Sequence, residues 1–299
     1  MEFTPEIKKK RLTGIGGSEV PAILGMNKYS SPYRVWAIKT GREDSFVGNK
    51  YTTAGTILES AVVEFFSRET EYRIIKASAK QKVFVHPKVS FAIGMPDRFY
   101  FSNRVGRGIL ECKTTQQSLD EVPDSWFAQL QWYLGIVGLY YGGIAWLEHG
   151  LEFKYKEYEY DADFFDFMLA EVTKFWENHI VKDVPPDPIN IDDLIARYPQ
   201  HISGKTIDAP YEIVRAHTEL KEIREQIKKL ETRETELSDA VKMAMKDSER
   251  VVSRGETLFS WKASKDSVVF EKDRFQIENP DLYQNYLTTR PGTRRFLIK

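Results

Sequence analysis

Two stretches of the chain, GMPDRFYF and GRGILECKTT, hold the residue types best suited to chemistry. The first places Asp97 at the head of an aromatic strand, 98–101. The second, 108–113, runs through Ile109 and Leu110 into Glu111-Cys112-Lys113. Alternation along a strand sends Glu111 and Lys113 to one face and Cys112 to the other. The intervening Ser102-Asn103-Arg104-Val105-Gly106 predicts an antiparallel hairpin, which brings Asp97 towards Glu111. Two carboxylates beside an ammonium suit Mg²⁺, a hard ion that prefers oxygen ligands, and the Cys112 carbonyl can add another oxygen. Lys113 would orient or help deprotonate a water on that ion, which then attacks phosphorus in line. Taken alone, the same pattern also describes a solvated strand rim.

Three further segments bear on that reading. Glu59, in GTILE, is either a third carboxylate aimed at the ion or a surface glutamate. Gln129 and Tyr133, in FAQLQWY, stand at i and i+4 and so share a helix face. They either contact the attacking water and the scissile nucleotide, or Tyr133 is core. RLTGIGGSE sets Arg11 seven residues before Ser18, with Gly14, Gly16 and Gly17 between. Free amide groups at a helix start favour an anion, and an arginine can reach the same phosphate. The alternative is a tight turn with a capped helix. The stretch lacks GxxxxGK[ST] and follows no strand, which disfavours a nucleotide triphosphatase.

These residues must be held by elements that the pattern also outlines. Helices are expected at 18–24 with Ser18 as N-cap, 31–40, 51–68, 125–137 and 164–179. Strands are expected at 82–86, 91–95, 98–101, 108–113, 144–148 and 152–160. The order implies an α/β unit on a central mixed sheet flanked by helices. From about 210 to 247, Ile213, Ala216, Leu220, Ile223, Ile227, Leu230, Leu237, Val241 and Ala244 recur in steps of three and four, interrupted only by Glu234. That is a heptad pattern. Short strands, a small helix near Arg274 and a last strand at 294–298 complete a small α+β extension. The boundary is placed at 205, giving domains 1–205 and 206–299. The heptad helix is a coiled coil between subunits, a hairpin packed on its own domain, or a docking arm.

Composition narrows the class. The 299 residues carry 43 basic and 44 acidic side chains. Residues 1–50 hold nine bases against five acids, 250–299 ten against six, and 147–200 five against thirteen. Basic ends suggest a polyanion partner without deciding it. A single cysteine, Cys112, excludes a disulfide framework and thiolate metal clusters. No apolar stretch is long enough to span a bilayer, and the first residues lack the apolar segment of a secretion signal, so a cytoplasmic setting is expected.

The ordered set RLTGIGGSEV, GTILE, GMPD, LECK and QLQWY resembles the YqaJ-type phage recombinases, the lambda-exonuclease-like branch of the PD-(D/E)XK nucleases, over roughly residues 8–180. The resemblance implies a restriction-endonuclease-like core and a Mg²⁺-dependent 5′→3′ exonuclease, with Mn²⁺ a possible substitute and one or two ions bound. Such an enzyme resects linear double-stranded DNA to 3′ single-stranded tails in the cytoplasm of a bacterial host. Asp97 and Glu111 would then be metal ligands, Lys113 the catalytic lysine, Glu59 the helix carboxylate and Gln129 the glutamine of QxxxY. Arg11 and Ser18 have the spacing of the pair that grips a 5′-phosphate. The family also has an Arg several residues beyond ExK. Residues 114–119 here contain none, so either dependence on a 5′-phosphate is weaker or another side chain such as Arg34 serves. A homotrimeric ring and a single-strand annealing partner are implied by the resemblance alone.

Two other functions fit the same residues. One is a structure- or site-specific endonuclease, which would cut a closed circle where an exonuclease would not. The other is a non-catalytic DNA-end-binding protein. Asp97, Glu111 and Lys113 together argue against it, because binding gains nothing from a buried carboxylate pair. Trp36 and Trp126 are either base-stacking residues or core.

Overall fold

The chain reverses at Gly106, whose φ of +74° lies in the left-handed region that favours glycine. On either side, Ser102 stands opposite Gly106 and Arg98 opposite Leu110 in an antiparallel ladder. This is the expected hairpin. The computed structural model describes residues 4–44, 48–75, 83–290 and 292–299, and the chain divides into two units, Met1–Arg197 and Tyr198–Lys299.

The first unit begins with α1 (Pro5–Leu12), α2 (Val20–Ile23), α3 (Pro32–Lys39) and the long α4 (Lys50–Thr70). The strands β1 (Arg73–Ile75), β2 (Phe84–Val85), β3 (Ile93–Gly94), β4 (Arg98–Ser102) and β5 (Gly106–Thr115) follow. Next come α5 (Asp124–Val137), β6 (Tyr141–Glu148), β7 (Glu152–Glu159) and α6 (Ala162–Phe175), which runs into a π-helical turn at Trp176–Val181 before α7 (Ile191–Arg197). Five strands make one mixed sheet in the order β1-β4-β5-β6-β7. Only β5 and β6 run parallel, joined through α5, and the other pairs are antiparallel.

Helices cover both faces, and strand alternation divides the core accordingly. Ile109, Ile144 and Trp146 face α5 and α6, packing with Leu130, Trp132, Leu134, Phe165 and Met168. Leu110, Ala145 and Leu147 face the other way, with Tyr100, Val62 and Phe66. Strand β6 is therefore apolar on both sides, as a covered central strand must be. Asn49 caps α4, accepting the Tyr51 and Thr52 amides, while Thr52 Oγ1 accepts the Asn49 amide. Val62 and Phe66 are the α4 residues fully buried. At about 1.5–3 kcal/mol each, these two anchors outweigh the marginal stability of an isolated helix.

Two expected elements differ. The helix predicted from Ser18 starts at Val20, with Glu19 at the N-cap position and no side-chain cap. Ser18 lies in the preceding turn, because the Glu19 carboxylate instead accepts the Gly16 amide at 2.9 Å. Residues 294–298 form no strand: their backbone joins no ladder, and Phe296 is exposed. Of the predicted strand 82–86, Lys82 lies outside the described residues and Phe84–Val85 pairs with Ile93–Gly94. Strand β1, three residues without alternation, had no pattern to announce it.

The second unit consists of α8 (Tyr211–Met245), β8 (Arg250–Ser253), β9 (Glu256–Ser260), α9 (Lys272–Glu278) and α10 (Pro280–Asn285). The heptad segment is thus one continuous 35-residue helix, in which only Met245 is buried. Among the described residues, no helix is long and apolar enough to cross a membrane.

Candidate active site

Asp97 immediately precedes β4, so the register that pairs Arg98 with Leu110 carries it to the side of Glu111. Its amide donates to Glu111 Oε1 at 3.3 Å, and its Oδ2 accepts the Cys112 amide at 2.9 Å. Lys113 Nζ lies 3.3 Å from Glu111 Oε2 and donates to Gln129 Oε1 at 2.9 Å. Gln129 Nε2 in turn donates to Glu111 Oε2 at 3.0 Å and to the Tyr133 hydroxyl at 3.3 Å. The chain Asp97–Glu111–Lys113–Gln129–Tyr133 therefore spans three elements. Strand alternation selects Glu111 and Lys113, and one helical turn of α5 selects Gln129 and Tyr133. The Cys112 thiol turns to the opposite face, against the α4-side cluster.

Glu111 is wholly inaccessible. Burial, then the Asp97 charge, pushes its carboxyl up to about 8, against the opposing pull of Lys113 and the Asp97 amide. Burial disfavours the Lys113 ammonium, but Glu111 and Asp97 outweigh it and raise its pKa above the ordinary lysine value. Burial, Glu111 and Asp97 likewise raise the Tyr133 hydroxyl. Two carboxylates this close resist joint ionisation unless positive charge arrives, and their oxygens are the donors a hard divalent cation takes. The donor set fits such an ion. Among the described residues, no group of three or more His, Cys, Asp or Glu side chains converges as a metal cluster, so any further ligands would be backbone or water oxygens.

Glu59 on α4 stands nearby but is engaged. Its Oε1 lies 2.6 Å from Arg98 Nη1, which also donates to the Asp97 carbonyl at 2.6 Å. Burial, then the charge of Asp97, raises the Glu59 pKa, while Arg98 opposes the rise. Arg98 thus braces the carboxylate that resemblance would make a ligand.

Beyond Tyr133, a small cavity is lined by Arg11, Gly16, Ser18, Glu19, Ile93, Met95 and Tyr133. Gly17 lets this turn close on the tyrosine: a Cβ there would lie 2.5 Å from the Tyr133 ring. Tyr133 is therefore both core and the link between this cavity and the carboxylates. Arg34 does not line the cavity. It lies 3.6 Å from Glu43 and reaches the Tyr29 carbonyl at 3.5 Å. Trp36 is buried, stacked under Arg42, and Trp126 packs edge-on to Trp146. Both indoles belong to the packed interior rather than to an open stacking surface.

Lys39 was not singled out in the sequence. Its side chain is 2% exposed, its ammonium sits 2.7 Å from Glu19 Oε1, and it also donates to the Arg11 carbonyl. Burial lowers its pKa, and Glu19 opposes that. Through Glu19 and the Gly16 amide, Lys39 ties the end of α1, the glycine turn and α3 together. No periodicity connects residues 19 and 39, so no sequence signal marked the pair.

A second buried carboxylate, Glu148 at the end of β6, has a different environment. It accepts Trp146 Nε1–H at 2.8 Å, Lys154 Nζ at 3.0 Å and the Leu119 amide at 3.1 Å. These donors lower its pKa, the Trp146 hydrogen bond most.

Residues 6–140 match the model of the YqaJ-like viral recombinase domain. The chain is 29% identical to the uncharacterized protein YqaJ of Bacillus subtilis (strain 168), over 97% of this chain and 92% of that one. Among solved structures, the alkaline exonuclease LHK-Exo of Laribacter hongkongensis, in complex with dAMP, aligns with 60% of this chain and 94% of its own. The identity is 16% and the TM-score 0.48. A phage related exonuclease from Haemophilus somnus 129PT aligns with 59% of this chain and 100% of its own, at 14% identity and TM-score 0.43. The residues from Arg11 to Tyr133 that build the cavity and the polar chain all lie inside the segment that matches the YqaJ-like viral recombinase domain.

Proposed function

We propose that this chain is a divalent-cation-dependent 5′→3′ exonuclease that resects linear duplex DNA and leaves 3′ single-stranded tails, the form a single-strand annealing protein would take up. The observation that carries this reading is the convergence of Asp97, Glu111, Lys113 and Gln129 on one small volume. Asp97 and Glu111, with the Cys112 carbonyl, would hold Mg²⁺ or Mn²⁺, and Glu59 would join them only by leaving Arg98. The ion supplies Lewis-acid charge at the scissile phosphate.

The protein's own groups divide the remaining work. Lys113, with its pKa raised, enters as an ammonium. It therefore acts by donating hydrogen bonds and positive charge to the attacking water or to the phosphoryl oxygens, not as a base. Gln129 fixes the direction of Nζ through Oε1 and ties Glu111 to Tyr133. Arg11 and Ser18, at the cavity behind Tyr133, would hold the 5′-terminal phosphate, setting which bond lies over the carboxylates.

The test is linear duplex labelled at either the 5′ or the 3′ end, with a closed circle in parallel, each with Mg²⁺ and with chelator. Early release of the 5′ label from linear DNA only, and only with Mg²⁺, is expected. Early loss of the 3′ label reverses the polarity, and cleavage of the circle points to an endonuclease. DNA retention without cleavage under every metal condition removes the enzyme reading.

A further inference from the structure

We infer that α8 is one half of an antiparallel two-stranded coiled coil whose other half is the α8 of a second copy of this chain. The seam residues Ile213, Ala216, Leu220, Ile223, Ile227, Leu230, Glu234, Leu237, Val241 and Ala244 follow one heptad track, with Ile213, Leu220, Ile227, Glu234 and Val241 at a and the others at d. All but Val241 are exposed, and the six large aliphatics among the exposed ones are 38–70% accessible. An apolar stripe nine turns long, exposed in its own unit at every seam position but the half-buried Val241 and touched at its flank where His217 meets the Lys299 carbonyl, is a surface built for another helix.

Charge identifies the occupant. A parallel, in-register pair would set Glu234 against its own copy in the core, two carboxylates with no partner. An antiparallel pair centred between Ile227 and Leu230 avoids this while giving every seam residue a layer partner: Ile227 with Leu230, Leu220 with Leu237, Ala216 with Val241, and Ile213 with Ala244. Glu234 then faces Ile223 of the other copy, beside that copy's Arg224. The flanking e positions pair Arg224 with Glu231 twice, once on each side of the axis. The remaining flanking pairs are His217 with Ser238, Gln226 with Arg233 and Glu219 with Ala240. None of these is a like-charge pair. What selects the antiparallel direction is thus Glu234, which only there is kept off its own copy.

The inference does not depend on the nuclease reading, and mass and cross-linking test it. Full-length protein at micromolar concentration is measured by light scattering beside Leu230→Asp, a change at a helix position that is 70% exposed. The variant is expected to halve the mass of the assembly. An unchanged mass, or a wild-type chain that is monomeric, overturns the proposal. Direction is read in a Cys112→Ser background with a short bis-maleimide. A mixture of Arg224→Cys and Glu231→Cys chains should cross-link as the mixed pair. Preferential linkage in a mixture of Glu219→Cys and Arg224→Cys chains would mean a parallel pair and overturn the assignment.

Discussion

Glu111 and Glu148 sit on neighbouring strands of one sheet, both inaccessible and both beside a lysine, yet their protonation is driven in opposite directions. Glu148 has three donors, an indole N–H, a backbone amide and Lys154, and stays ionised. Glu111 also has three donors, the Asp97 amide, Lys113 and Gln129, but a second carboxylate stands against it, and its proton is held up to about 8. Neither burial nor the number of donors therefore separates the two carboxylates; the neighbouring negative charge of Asp97 does. Where donors meet no competing acid the group is a brace. Where another acid competes for the same positive charge, an added cation would relieve the repulsion.

The most severe way to break this contrast is to remove each lysine. Lys113→Ala should reduce turnover by about a thousandfold while leaving DNA binding within a few fold, whereas Lys154→Ala should leave turnover near wild type. Equal losses in single-turnover cleavage would erase the distinction. Arg11→Ala asks how far the Glu111 side extends. Digestion of 5′-phosphorylated ends should fall about tenfold, the scale of one hydrogen bond to a charged group, with a smaller loss on 5′-hydroxyl ends. The same factor on both would take Arg11 out of phosphate recognition.

Metal should sharpen the contrast thermally. Mg²⁺ is expected to raise the melting temperature of wild type and of Glu148→Gln by a few degrees, and of Glu111→Gln not at all; a shift in Glu111→Gln would move the ion elsewhere. The smallest effects are in pH. The fold raises the Glu111 pKa, so it favours the protonated form. Metal-free protein should lose stability as pH climbs from the ordinary carboxylate range towards about 8, and Glu111→Gln should flatten that slope. The fold lowers the Glu148 pKa. Its contribution is present above the ordinary carboxylate pKa and lost as pH falls, so the melting curves of wild type and Glu148→Gln should converge in acid.

What could be read directly from the sequence was local. Asp97 and Glu111 meet because an antiparallel hairpin has one register once its turn is set. Glu111 with Lys113 and Gln129 with Tyr133 share faces because strands repeat every two residues and helices every 3.6. The heptads of α8 were legible for the same reason. Each of these relations is built into backbone geometry over a dozen residues or so. Tertiary structure alone decided the rest: that Lys39 is buried against Glu19, that Arg98 holds Glu59, that Arg34 turns to Glu43, and that 294–298 find no strand to pair with. The fates of Glu111 and Glu148 are mixed: Asp97 and Trp146 are local to them, but the Gln129 amide and the Leu119 N–H come from outside their hairpins. Periodicity says which side of an element a residue occupies but not which element comes to cover that side, and the partners that bury or pair a charge from that side come from elsewhere in the chain.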